Sequence, residues 1–147
     1  MLKLSKKVEY GILSMQYLAS NQGQLFTAKS MSEQLNLSYE FLAKTLQKLM
    51  KNDLVKSQQG SNGGYYLNKP ANDISIYDII CALDSKPELV ECLSEDPNKD
   101  CDLKDTCLLY DPVQLLQKRV ENVFIDTKLS DIIVQNLVEV ENLNIRG

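Results

Sequence analysis

Apolar residues recur with a helical period along the amino-terminal third of the chain and predict three consecutive helices. The first is predicted from residue 6 to residue 20 behind a cap at Ser5, and its apolar positions are Val8, Ile12, Met15 and Ala19. A second is predicted from a Thr27 cap to Leu35, and a third from a Ser38 cap to about Asn52. The tight turn between the last two is typical of a helix-turn-helix.

The third predicted helix is amphipathic. Its apolar side holds Phe41, Leu42, Leu46, Leu49 and Met50, and the opposite side holds Glu40, Lys44, Gln47, Lys48 and Lys51. Lysine binds phosphates, while amide and hydroxyl groups near a helix start can hydrogen-bond base edges in the major groove. Taken alone, this pattern also fits an ordinary solvated helix face.

A glycine-rich hairpin is predicted directly after this helix. Residues 54–59 and 65–67 form its strands, and the tip Gly60-Ser61-Asn62-Gly63-Gly64 contains three of the six glycines of the chain. Glycine permits positive φ and close backbone approach to another surface. A helix-turn-helix followed by such a hairpin predicts a winged helix-turn-helix, a mainly α fold with a small β-wing.

Two further helices complete the predicted fold. Ser75 opens a helix with apolar residues Ile76, Ile79, Ile80 and Leu83 that ends before Pro87. A long amphipathic helix begins with Asp111 as cap and Pro112 in the first turn, and its stripe consists of Val113, Leu116, Val120 and Val123 or Phe124. A winged domain of about 70 residues has little room to bury this stripe, so it favours a dimerisation helix, with packing inside the chain as the alternative.

This pattern divides the chain into three parts. Residues 1–84 form the predicted winged DNA-binding domain, 85–111 a cysteine-bearing loop, and 112–147 the dimerisation helix and tail. A short last helix is predicted over residues 130–137, with a frayed tail from residue 139.

Charge is distributed unevenly along the chain. Residues 1–70 carry a net charge of +5 and residues 71–147 a net charge of −9. A basic front suits a protein that presents one face to phosphates, although solvated lysine-rich helices explain the same charges.

The chain has no histidine, which excludes Ser-His-Asp and Cys-His nucleophiles and Cys/His zinc fingers, so we expect no enzyme. Without a long apolar run or a signal-like segment, we expect a cytoplasmic protein with no membrane association.

The acidic loop contains three of the four cysteines. Cys92, Cys101 and Cys107 are spaced C-x8-C-x5-C, whereas Cys81 lies on the apolar helix and is predicted to be a packing residue. Closely spaced thiols in a loop without a core resemble metal ligands, with iron-sulfur clusters and zinc as candidates. Three thiols leave one ligand position open, and reduced cysteines without a metal are the alternative.

The chain resembles the Rrf-two (Rrf2) family of dimeric winged-helix transcription factors over residues 1–125. The matching positions are Leu4-Ser5-Lys6 through Tyr10-Gly11, Leu18-Ala19, Ser38-Tyr39, Gly60-x-x-Gly63-Gly64-Tyr65-x-Leu67 with Pro70, Ile74-Ser75, Asp78-Ile79 and the three loop cysteines. The wing string is highly specific, and the cysteines are typical of the branch of the family that binds iron-sulfur clusters.

The resemblance implies an iron-sulfur cluster, [2Fe-2S] or [4Fe-4S], on Cys92, Cys101 and Cys107 near a dimer interface. Some members place a histidine three residues after the last cysteine, but Tyr110 occupies that position here. Other members use an acidic residue of the partner's first helix, which corresponds to Glu9. Asp111 or an exogenous ligand is the alternative, and a carboxylate at a helix start is also favoured by the helix dipole alone.

For DNA, the resemblance implies contacts from Ser38, Tyr39 and Lys44 on the third helix and from Gln59, Gly60, Ser61, Asn62 and Gly63 on the wing. The predicted basic face of the third helix adds Lys48. We therefore expect a homodimeric regulator, acting as a repressor on a near-palindromic site in double-stranded DNA, controlled by a cluster that senses iron, nitric oxide or redox state. A cluster-free thiol/disulfide switch and a zinc-binding interaction module are the alternatives.

Overall fold

A computed structural model describes residues 3–99 and 101–133. Its regular elements are α1 (Lys6–Ser20), α2 (Ala28–Leu35), α3 (Tyr39–Lys51), β1 (Val55–Gln58), β2 (Gly64–Leu67), α4 (Ile76–Leu83) and α5 (Tyr110–Asp126). Three short 3-10 turns lie at Ala71–Asp73, Glu91–Leu93 and Leu129–Ile132. The mainly α fold with a two-stranded wing confirms the predicted class.

The predicted caps explain where several helices begin. Ser5 accepts a hydrogen bond from the amide of Val8 at 3.4 Å, and Thr27 accepts one from the amide of Ser30 at 3.1 Å. Ser75 and Asp78 form a reciprocal capping box at the start of α4. Ser38 occupies the cap position of α3, but its side chain makes no capping hydrogen bond.

The first four helices enclose one apolar core. Fully buried side chains from them include Met15, Met31, Leu42, Leu46, Leu49 and Ile79. We refer to residues 3–83, which comprise α1 to α4 and the wing, as the reading head. Met50 departs from its predicted apolar side: it lies near the end of α3 and is exposed, and Ser57 of the following segment donates a hydrogen bond to its sulfur.

The wing is an antiparallel hairpin in which Val55 pairs with Leu67 and Gln58 with Gly64. An isolated bridge between Phe26 and Tyr65 joins β2 to the segment between α1 and α2. A side chain at Gly64 would place its Cβ 2.7 Å from the Phe26 backbone. Glycine is therefore required here for close packing, and the base of the wing is fixed to the body of the reading head.

The start of α5 differs from the prediction. The helix begins at Tyr110, Leu109 holds the cap position, and Asp111 is a first-turn carboxylate rather than the cap. The reason is local: Tyr110 donates its amide to the carbonyl of Cys107 at 3.3 Å, so a turn at Cys107 already leads the chain into the helix.

The predicted apolar stripe of α5 is split between two environments. Val113 is buried and Phe124 packs against the core, but Leu116 and Val123 are exposed. The second buried position of the helix is Gln117, one turn after Val113. The helix therefore turns a partly polar face toward its own chain and leaves apolar side chains on the outside.

After α5 the chain returns to the reading head, over residues 127–133. Ile76 donates its amide to the carbonyl of Thr127 at 2.9 Å, and Leu129 donates its amide to that of Ile74 at 2.8 Å. Leu129 is fully buried in the common core, and Gln16 of α1 donates its side-chain amide to the carbonyl of Ile132. We call residues 127–133 the return segment.

The last predicted helix appears here as the 3-10 turn Leu129–Ile132. Residues 134–137 of that prediction and the tail from residue 139 lie outside the described residues. Within the described part of the chain, the helices are too short or too polar to cross a bilayer.

Candidate nucleic-acid interface and cysteine loop

Core packing determines which face of α3 is presented to solvent. Leu42, Leu46 and Leu49 are fully buried, and the buried Thr45 satisfies its hydroxyl by donating to the carbonyl of Phe41 at 2.9 Å. The opposite face exposes all four predicted helix positions for DNA contact, which are Ser38, Tyr39, Lys44 and Lys48, together with Gln47 and Lys51. This face is basic and amide-bearing, as a surface that meets phosphates and base edges requires.

The wing tip is a tight turn between β1 and β2. The amide of Gly63 donates to the carbonyl of Gly60 at 3.1 Å, and Gly60 has a φ of 119°, which glycine adopts readily. Gln59, Gly60, Ser61 and Asn62 are exposed, and Gly63 is half-buried. A Cβ at Gly63 would lie 2.0 Å from the carbonyl oxygen of Gln58, so this turn cannot close around a larger residue.

Aromatic packing sets the direction of the wing. Tyr65 and Phe26 exchange two backbone hydrogen bonds, of 2.7 and 3.3 Å, and the ring of Tyr17 meets that of Phe26 edge to face at 4.9 Å. A similar contact at 4.7 Å joins Tyr10 of α1 to Phe41 of α3. The wing and the third helix are thus both attached to α1.

The segment between α4 and α5, residues 84–109, contains the three clustered thiols, and we call it the cysteine loop. Cys92 lies in the 3-10 turn Glu91–Leu93. The carbonyl of Cys101 accepts from the amide of Lys104 at 3.1 Å. None of the three thiols, including that of Cys107, is in a disulfide, and all three are half-buried.

The structure does not bring the predicted metal ligands together. Among residues 3–99 and 101–133, no three cysteine or carboxylate side chains are arranged to hold a metal ion. Glu9 lies in the first turn of α1 and pairs with Lys6 at 2.7 Å, which raises the pKa of Lys6. The donor set thus fits an iron-sulfur cluster in its chemistry, with three thiols in one loop, but not in its arrangement within a single chain.

A buried amide connects the cysteine loop to α5, and the sequence pattern did not point to it. Gln117 accepts a hydrogen bond from the amide of Leu89 at 2.9 Å and donates to the carbonyl of Pro87 and, at 2.9 Å, to the carboxylate of Glu121. On the surface, Lys86 pairs with Glu95 at 2.6 Å. The only sequence signal for Gln117 was its spacing of four residues from Val113.

The prediction that Cys81 is a packing residue is wrong. Its side chain is exposed, because the apolar face of α4 that meets the core consists of Ile76, Ile79, Ile80 and Leu83. Partial desolvation raises the pKa of the Cys81 thiol, and a hydrogen bond with Tyr77 opposes that rise. The same surroundings raise the pKa of Tyr77, chiefly by burial.

Comparisons with known proteins agree with this architecture. The regulator IscR of Pectobacterium carotovorum is 28% identical over 99% of this chain and 90% of its own length. The structure of CymR, the global cysteine regulator of B. subtilis, is 30% identical with a TM-score of 0.71, over 90% of this chain and 97% of that one. The structure of T. potens IscR is 30% identical with a TM-score of 0.68, over 89% and 85%.

The family comparison covers nearly all described residues. Residues 4–135 match the Rrf2 family model, described as an iron-dependent transcriptional regulator. Members of this family are transcriptional regulators with a DNA-binding helix-turn-helix, and they are not enzymes. The chain therefore belongs to the Rrf2 family of transcriptional regulators.

Proposed function

We propose that the protein is a homodimeric repressor whose affinity for its operator is controlled by an iron-sulfur cluster bound at the cysteine loop. The observation that carries the proposal is the separation of two surfaces: a basic face on α3 and the wing, and three half-buried thiols on a loop outside the core. One surface reads DNA and the other responds to a signal.

Ser38, Tyr39, Lys44 and Lys48 enter the major groove in this proposal, and residues 59–63 of the wing lie on the adjacent minor groove or phosphates. Two copies related by a twofold axis would read a near-palindromic duplex. Support comes from the exposure of Tyr39, whose side chain is 54% accessible at the first position of α3.

Dimerisation is supported by the outer face of α5. Leu115, Leu116 and Val123 are more than half exposed there, and Leu108 and Leu109 continue the apolar surface just before the helix. Contiguous exposed apolar residues of this kind mark interaction surfaces. A second copy of the same helix provides a matching surface under twofold symmetry.

The cluster would use the thiolates of Cys92, Cys101 and Cys107, with the partner's Glu9 as the fourth ligand. The proposal draws on the family description as iron-dependent and on the two IscR relatives. When bound, a cluster supplies a group that iron status, oxidants or nitric oxide can alter. Because metal binding and local folding are coupled, thiols that are apart in the single chain can be gathered on assembly.

The experiment that tests this function is anaerobic purification followed by DNA binding with and without the cluster. We expect a coloured dimer with iron and sulfide, whose affinity for its operator changes by about tenfold or more on cluster removal. Glu9→Gln should alter the cluster spectrum and reduce that change while leaving the cluster-free fold intact. A colourless, iron-free protein would contradict the bound cluster. An unchanged spectrum and response in the variant would contradict the role of Glu9 as a ligand.

A thiol switch without a cluster is the second candidate, favoured by the three half-buried cysteines of one loop and by the relative named as a global cysteine regulator. In that case the colourless protein would lose or gain DNA binding on oxidation, and a reductant would reverse the effect. Zinc without iron in metal analysis would instead support the interaction module.

A further inference from the structure

Gln117 is an unusual residue for its place in the fold. Only 8% of its surface is exposed, although it lies on a helix whose outer face carries the exposed side chains of two leucines and a valine. A buried amide is stabilising only when its polar atoms find partners. An apolar residue at this buried position would need no hydrogen-bond partners. The partners of Gln117 therefore indicate what its amide does.

Those partners are almost all in the cysteine loop. The side-chain oxygen accepts from the amide of Leu89, and one N–H donates to the carbonyl of Pro87. The second N–H donates to Glu121, one turn further along α5, which fixes the orientation of the amide. Because an amide both donates and accepts, it can hold two backbone groups of opposite kind that neither a carboxylate nor an apolar side chain could hold together.

Further backbone hydrogen bonds hold the chain between Leu89 and Cys92, the first thiol of the loop. Leu93 donates its amide to the carbonyl of Val90 at 3.2 Å, and Ser94 donates to that of Glu91 at 3.0 Å, so Cys92 lies inside a closed turn. Val90 directly follows Leu89 in the sequence. On the solvent side, the Lys86–Glu95 pair brackets the same stretch of chain, although an exposed pair contributes little to its stability.

We infer that Gln117 is a positioning residue for the cysteine loop: it fixes the backbone of Pro87 and Leu89 to α5 and so determines how Cys92 is presented. The inference concerns the loop that the proposed function uses, but it holds for the metal-free protein as well. It also joins the stretch of chain before Cys92 to the helix that carries the exposed apolar face.

The test uses Gln117→Met, which nearly keeps the volume and removes the hydrogen bonds. Gln114→Met on the same helix is the matched control, since Gln114 is half-exposed. In metal-free full-length protein, alkylation of each cysteine is followed by mass spectrometry, and exchange of the Leu93 and Ser94 amides by hydrogen-deuterium exchange. We expect Cys92 to react about tenfold faster and both amides to exchange faster, while Cys107 and the control stay within about twofold.

The inference is overturned if the Leu93 and Ser94 amides exchange, and Cys92 is alkylated, at wild-type rates in Gln117→Met. This holds even if exchange accelerates at Leu89, which loses its acceptor directly. Gln117→Glu provides a second variant if the first does not fold. It keeps an acceptor for Leu89, loses the donor to Pro87 and faces the carboxylate of Glu121, so Cys92 should again react faster. Wild-type protein that binds no iron would remove the proposed cluster and leave this test unaffected.

Discussion

In the reading head, helices and wing share one core with many fully buried side chains, whereas no described residue of the cysteine loop is fully buried. The first region is held by apolar burial and the second by a few polar contacts, chiefly those of Gln117. Apolar burial is non-directional and does not depend on the protonation or oxidation state of any single group. The first kind of order suits a rigid DNA-reading surface, and under the proposed function the second suits a loop that must change when its cluster changes.

The largest expected effect comes from removing core volume under the third helix. Leu46 is fully buried, so Leu46→Ala should lower the free energy of unfolding by about 2 to 5 kcal/mol through lost transfer energy and a cavity. Leu103→Ala in the cysteine loop, where the side chain is exposed, should change it by less than about 0.5 kcal/mol. Urea titration of the metal-free proteins measures both free energies of unfolding. Equal losses in the two variants would show that the cysteine loop depends on apolar burial as much as the reading head does.

A smaller effect is expected where the wing meets the body. Gly64→Ala places a Cβ against the backbone of Phe26, so we expect a loss of about 1 to 3 kcal/mol in stability and of about tenfold in DNA affinity. Gly23→Ala is the control, because open space surrounds it although its φ is +83°. That variant should lose about 1 kcal/mol of stability and keep wild-type DNA affinity. Fluorescence anisotropy and thermal unfolding measure the two quantities.

The lysines on the exposed face of α3 should contribute to the salt dependence of DNA binding. Replacing Lys44 or Lys48 by alanine should lower the slope of log affinity against log salt by about one for each lysine that contacts a phosphate. Lys118→Ala removes the same charge from the exposed side of α5, outside the reading head, and should leave the slope unchanged. Equal slopes for all three variants would move the DNA surface away from α3.

The smallest expected effect lies at the junction of the two regions, at Cys81. The hydrogen bond from Tyr77 lowers the pKa of this thiol, so Tyr77→Phe should raise that pKa further and reduce the thiolate fraction near pH 8. Alkylation of Cys81 should then be slower by about two- to fivefold. The difference should vanish at a pH above the pKa of Cys81 in both the wild type and the variant. A faster reaction in the variant would contradict a hydrogen bond from Tyr77 to the Cys81 thiolate.

Local sequence signals predicted the reading head well, because caps and helical periods act within a few residues. Ser5, Thr27 and Ser75 cap the helices that they were expected to cap, and the glycines of the wing lie at its turn and its close approach. The exposure of Cys81 and the burial of Gln117 were not predictable in this way. Both depend on how α4 and α5 are rotated against the body, which tertiary packing decides.

The return segment has a consequence for the order in which the chain folds. Leu129 fills the core between elements that are complete by residue 83, and its amide pairs with the carbonyl of Ile74. During synthesis, α1 to α4 emerge well before the residue that closes their core. A nascent chain therefore exposes an unfilled apolar site until α5 and the return segment have been made, which delays a stable reading head until the exposed apolar face of α5 is present as well.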